Sequence, residues 1–383
     1  MKRELERIEI PGEHDARVRA WEVARAAYAE REPAPRGLPL LRPALVAAGL
    51  AAIVVAALSP PGRAVVDDVR KAIGIADAEE ALFSLPTRGR LLVVAPERGA
   101  FVVHPDGSRR RLGRYQEAAW SPRGRFVVAT RGDALFALTP EGDERWSLRR
   151  PDVSGARWGG TQTDTRIAYT SGRELRVVAG DRRGDRTVDP RAGGAPAAWK
   201  PGGAHVLAYL AGGDRIAVVA ADTRRVLWRS RPLLAPAVEV LGWSADGKRL
   251  LAVSPRTIRV FDDGGRLVRE MPMRAGTFAL GAEFAPRGHV FALRARNVGG
   301  AAAGRSQVLL VNADRAMRPR QLFIGLGAFG DVAWSPDGRW LLLDWVGADQ
   351  WLFIRTRGMP KIAPVSNIRA QFGSPPHLLD WGP

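Results

Sequence analysis

From residue 84 onward the chain is built of short apolar runs, among them RFVVAT at 125, RLLAVS at 249 and RWLLLDW at 339, each bounded by Gly, Pro, Asp or Ser. Runs this short, closed by turn residues and rich in Val and Leu, predict β-strands rather than helices. Many of them belong to one recurring frame: AAWSPRGRFVVAT at 118, ARWGGTQTDTRIAYT at 156, AAWKPGGAHVLAYL at 197, LGWSADGKRLLAV at 241, AEFAPRGHVFAL at 282 and VAWSPDGRWLLLDW at 332. LDWGP at the C-terminus repeats only its opening. The aromatic anchors are Trp120, Trp158, Trp199, Trp243, Phe284, Trp334 and Trp381, spaced on average 43.5 residues apart. In each unit a strand ends in the aromatic residue, a turn of S-P-x-G type follows, and a second strand leaves it. Pro presets φ in that turn and Gly accepts a positive φ. Further strands are expected in ALFALTP at 134, ELRVVAG at 174, RIAVVAA at 215, TIRVFDD at 257 and QVLLVNA at 307.

Four short strands every forty-odd residues match the size of a propeller blade. The fold class expected is all-β, a propeller of about seven four-stranded antiparallel blades over residues 83–383, with six or eight as alternatives. SLPTRGRLLVVA at 84 and GAFVVHPDG at 99 lack a good opening strand, and LLDWGP offers one. Pairing the two ends would close the ring and remove two free sheet edges.

The frame at Trp334, Ser335, Pro336, Asp337, Gly338 and Arg339 resembles the repeats of TolB-like and WD-repeat-like β-propellers over roughly residues 83–383. LFALTPEGDERWSL at 135 and IAVVAADTRRVLWRS at 216 look like the pyrroloquinoline-quinone-type propeller repeat, which implies the same fold.

A different pattern precedes the repeats. Residues 44–58, ALVAAGLAAIVVAAL, contain no polar side chain. As a helix this run extends roughly 22 Å, short of a ~30 Å hydrocarbon core unless Leu38 to Leu41 contribute. An uncleaved anchor over 43–59 is expected. A cleaved signal peptide would need a charged region of about 43 residues before the apolar run, far beyond the usual length. Arg25, Arg31, Arg36 and Arg42 before the span, against Arg63, Arg70 and Lys71 after it, place the N-terminus in the cytoplasm and the propeller outside it.

Residues 1–42 form a cytoplasmic tail with an amphipathic helix from about Asp15 to Arg31. Val18, Trp21, Ala24 and Tyr28 lie along one stripe as a possible partner-binding face, and Pro33 and Pro35 end the helix. Residues 60–82 read as a stalk, with Val65, Val66, Val69 and Ile73 at helical spacing. Anchor, stalk and propeller together look like membrane partners of extracytoplasmic-function sigma factors, which would imply an anti-sigma-like regulator. The tail is shorter than a usual anti-sigma domain, however, and the chain has no Cys with which to build that family's metal motif.

Charge adds a partner class. The formal net charge is +18, almost all of it beyond the tail, and such a surface attracts anionic lipid headgroups, acidic envelope polymers or nucleic acid; the partner expected on the propeller is a protein or an acidic envelope ligand. Nucleic acid is not the expected partner, because Arg exceeds Lys about tenfold along the whole chain, a compositional bias. Chemistry is not visible. There is no G-x-S-x-G elbow and no Cys, and Gly242 to Lys248 has the outline of a phosphate loop but carries Arg249 where Ser or Thr should stand. His14, His104, His205, His289 and His377 form no metal-binding pair, and Asp106, Asp246, Asp262, Asp263 and Asp337 fall where turns need them. RGD at Arg131 and at Arg183 is a triplet an Arg-rich chain produces readily. Trp146, Trp228, Trp345 and Trp351 are left as candidates for carbohydrate stacking. No cofactor, metal or enzymatic activity is expected. The function expected is a non-catalytic protein- or ligand-binding module, with a transmembrane regulator as the alternative and a hydrolase or oxidoreductase propeller third.

Overall fold

A strand sandwiched between two neighbouring sheets is buried on both faces and so reads as a continuous apolar run. RLLVVA, Arg90–Ala95, shows the consequence: Leu91, Val93 and Ala95 enter one apolar cluster while Leu92 and Val94 enter the next. The computed structural model describes residues 84–161, 163–192, 197–233, 238–315 and 318–383. The tail helix, the anchor at 43–59 and the stalk at 60–82 lie outside these residues. Among the described residues no helix is long and apolar enough to cross a membrane.

The described strands form seven antiparallel four-stranded sheets, the blades of a closed propeller. We number them I to VII from the N-terminus and call their strands a to d from the axis outward. The a strands of blades II to VII are Glu117–Trp120, Val153–Gly160, Ala198–Trp199, Val240–Trp243, Thr277–Phe284 and Val332–Trp334. Blade I takes its a strand from the far end of the chain: His377–Gly382 pairs with Arg90–Ala95, with Trp381 opposite Leu91. The ring therefore closes through hydrogen bonds between the two ends of the domain.

The core is not central. It is divided into seven apolar clusters, one at each blade interface. Every aromatic anchor packs against the preceding blade. The indole N–H of Trp199 donates to the Arg157 carbonyl at 3.0 Å, that of Trp243 to Ala198 at 3.2 Å, and that of Trp334 to Glu283 at 3.1 Å. Each acceptor is the residue just before the previous anchor. Such a fit leaves no room beneath the ring: a Cβ at Gly159 would lie 2.1 Å from the Trp199 ring.

Trp146, Trp228, Trp345 and Trp351 are structural too, which corrects the expectation of free stacking surfaces. Trp345 and Trp351 are buried, and the indoles of Trp146, Trp228 and Trp345 donate to the carbonyls of Gly180, Asp263 and Leu326. Within the turns, Asp337 accepts from the Ser335 hydroxyl at 2.6 Å and from the Arg339 N–H at 2.9 Å. The turn role expected from the S-P-D-G sequence is what the side chain performs.

Two blade interfaces carry the same polar clamp. Between blades III and IV, His205 places Nδ1 2.6 Å from Asp222 and Nε2 3.6 Å from Asp164, and Arg166 bonds both carboxylates. Between blades V and VI, His289 reaches Asp314 through Nδ1 and Asp246 through Nε2 at 3.0 Å, and Arg249 lies 2.9 Å from Asp314. Burial pushes the Asp222 carboxyl up, but His205 and Arg166 outweigh it and hold it at about 2. Asp246 is likewise held at about 2, where bonds from Ser244, Lys248 and His289 exceed the cost of burial.

Candidate functional site

Propeller strands leave two sets of loops. The a–b and c–d turns lie on one face of the ring, and the b–c turns and d–a connections lie on the other. On this second face blades I and II part to form a cleft of about 570 Å³, within the usual range of ligand sites.

Its walls follow from the blade plan. Strand b of blade I ends at Ala95, and the turn Pro96–Gly99 forms one wall together with Val94. The d–a connection, Arg114, Tyr115 and Gln116, crosses the floor to blade II. Arg131, the last residue of strand b in blade II, and His377, the first of the closing strand, complete it. Gly99 makes this close approach possible: its φ is +89°, and a Cβ there would stand 2.0 Å from the Gly113 carbonyl oxygen. A larger residue would push the turn away from the connection.

The electrostatics are one-sided. Arg114, Arg131 and His377 line the cleft against a single carboxylate, Glu97. The Arg131 guanidinium lies over two rings, 5.4 Å from the centre of Tyr115 and 4.7 Å from that of Phe136. Burial raises the Tyr115 hydroxyl against the opposing charge of Arg131. Gln116 turns its side-chain oxygen to the Gly132 N–H at 3.0 Å, which leaves its amide N–H donors for a ligand.

A second polar setting lies at the axis. Asp380 and Arg157 line a smaller cavity of about 190 Å³ beside the anchors Trp120 and Trp158. Burial lifts the Asp380 carboxyl to about 6, against a backbone N–H bond and the charge of Arg157. Glu283, on the a strand of blade VI, is raised well above the normal range by burial and then by the charge of Asp380. Nearby on blade VII, Asp344 is raised to about 7, mainly by burial and then by Asp331. Arg294 faces this group and pairs with Asp331 at 2.8 Å. A carboxyl raised in this way can donate a hydrogen bond while it holds its proton. Among the described residues no group of three or more His, Cys, Asp or Glu is placed to hold a metal ion.

The structure distributes the seven anchors around the ring, one per interface, and only Trp120 and Trp158 share a described cavity, the small one beside Asp380. Val18, Trp21, Ala24 and Tyr28 lie outside the described residues. The cleft residues Arg114, Tyr115, Gln116, Arg131 and His377 were not singled out for binding in the sequence. They come from three separate segments, and the one local signal is GRYQ at 113–116, a polar connection interrupting the strand pattern.

No protein-family model matches the sequence, and no curated protein resembles it in a sequence comparison. Many solved structures resemble its fold. A form of KlHsv2 with loop 6CD replaced by a Gly-Ser linker superposes with a TM-score of 0.56 at 15% identity, covering 73% of this chain and 95% of that one. The β-propeller domain of Cps50 (Swd1) from Myceliophteria thermophila gives 0.49 at 13% identity, covering 66% and 86%. Hydrazine synthase from Kuenenia stuttgartiensis gives 0.48 at 14% identity, covering 62% and 75%. At such identities the likeness is one of fold, shared by proteins of unrelated activity.

Proposed function

We propose that this chain is a membrane-anchored, non-catalytic binding module whose propeller faces the outside of the cytoplasm and engages an acidic ligand. The observation that carries the reading is the cleft between blades I and II, where a preformed cavity gathers three cationic or donor side chains against one carboxylate. The apolar run at 44–58 and the Arg balance around it supply the anchor and its direction. The same overall design as the membrane partners of sigma factors, together with the Val18, Trp21, Ala24 and Tyr28 stripe, supports the second reading, a regulator that passes propeller occupancy to a cytoplasmic transcription factor.

Affinity capture with the full chain from detergent-solubilised membranes separates the two. The module reading expects the same partners for the wild type and for Trp21→Ala with Tyr28→Ala. A transcription-factor partner that disappears in the double variant contradicts it and establishes the regulator.

A further inference from the structure

The cleft between blades I and II has a chemistry more specific than positive charge. Many guanidiniums elsewhere in the propeller are paired within the fold: Arg150 and Arg176 with Asp185, Arg166 and Arg186 with Asp222, Arg249 with Asp314, Arg294 with Asp331. Among the described residues, neither Arg114 nor Arg131 makes an ion pair. The Arg131 guanidinium instead lies 5.4 Å from the centre of the Tyr115 ring and 4.7 Å from that of Phe136. Stacking occupies the face of a guanidinium and leaves its N–H edge free, and that edge matches a carboxylate with two parallel hydrogen bonds.

The rest of the cleft narrows the ligand further. Val94 and Pro96 give it an apolar side, and Tyr115 and Gln116 a floor that can accept a backbone. Glu97 repels a doubly charged phosphate more strongly than a singly charged carboxylate. We infer that this cleft docks an acidic peptide segment of a partner protein, its carboxylates held by Arg131 and Arg114 and an apolar side chain lying against Val94 and Pro96. The inference rests on the binding-module reading and names the site and ligand class within it.

The test measures fluorescence anisotropy of a fluorescein-labelled peptide, Glu-Glu-Leu-Glu-Glu-Leu, titrated with the full-length protein in detergent. Replacing both arginines, Arg114→Ser with Arg131→Gln, is expected to weaken binding about tenfold or more, the loss of charge-assisted bonds. Arg131→Lys, which keeps the charge but not the planar fork, is also expected to weaken it. Arg145→Gln with Arg149→Gln removes the same charge from the exposed outer strand of blade II and is expected to change affinity less than about twofold, as for rim charges. Inorganic phosphate at matched ionic strength should not displace the peptide. Unaltered melting temperatures keep the comparison free of unfolding. Equal weakening by the outer-strand pair, or displacement by phosphate, overturns the inference. Should membrane capture return propeller partners while the peptide shows no such dependence on Arg131, the binding module stands and this cleft assignment falls.

Discussion

Asp344 lies in WLLLDW, the b strand of blade VII, with a relative exposure of 5%. A carboxylate in such a place has to be paired, neutral or costly. Gly330 fits against it, since a Cβ there would come within 2.1 Å of Asp344 Oδ2. The folded carboxyl titrates at about 7 because burial, then Asp331, oppose its charge, whereas in the unfolded chain it titrates near ~3.9. The folded state thus binds the proton more tightly, and this residue's contribution to stability is lost as pH rises from about 4 through about 7. Asp344→Asn should therefore raise the melting temperature at pH 8 and gain less at pH 5, a difference on the order of 2 kcal/mol. Melting curves at the two pH values check it, and an equal effect at both would contradict the assignment. At this scale the sequence is only half informative. Asp344 was visible as an acid inside an apolar run, but its proton could not be inferred until Asp331 and the neighbouring blade were in place.

At the scale of elements, the strands and turns were legible because their pattern is local. An apolar run, a Pro that sets φ and a Gly that accepts its reversal carry their geometry with them. The inter-blade clamps were not legible as such. His205 and His289 looked isolated among five scattered histidines. Both in fact directly precede the Val that opens a b strand, and each meets an Asp just beyond the c strand of its own blade, Asp222 or Asp314. The repeated position was present in the sequence, yet the second carboxylate, Asp164 or Asp246, comes from the preceding blade and meets the histidine only when the two blades pack. The clamp at His205 is the more enclosed, with 4% of its side chain exposed. His205→Ala removes a buried ring that bridges Asp222 and Asp164 and should destabilise the fold by about 2 kcal/mol. Thermal melts should show a clear fall for His205→Ala and almost none for Lys361→Ala, an exposed residue of blade VII. A silent His205→Ala would mean that the apolar clusters alone set the stability of that interface.

For the whole molecule, closure was foreseeable because the two ends of the repeat complement each other, and His377–Gly382 completes blade I as that mismatch implied. The meaning of the charge was harder to foresee. Residues 84–383 hold 46 Lys or Arg against 27 Asp or Glu, and the excess is shared by every blade except II, where the two balance, so it does not belong to one segment of the chain. Much of the excess sits on the d strands, as at Arg109, Arg110, Arg111, Arg145, Arg149, Arg225 and Arg229. Charge on an exposed sheet edge discourages pairing with another chain, which gives the Arg-rich composition a structural role apart from ligand binding. In the proposed reading, binding depends instead on Arg114 and Arg131 beside the cleft.

The proposed role requires that this ring be displayed outside the cytoplasm. The chain has no Cys, so one introduced thiol reports alone. Met359, in the c–d turn of blade VII, is 80% exposed and suits Met359→Cys, and Ala34→Cys marks the tail. Intact cells treated with a membrane-impermeant maleimide should label the Met359→Cys protein and spare the Ala34→Cys protein until lysis. Labelling at Ala34→Cys alone, or at neither position before lysis, would contradict an extracytoplasmic propeller.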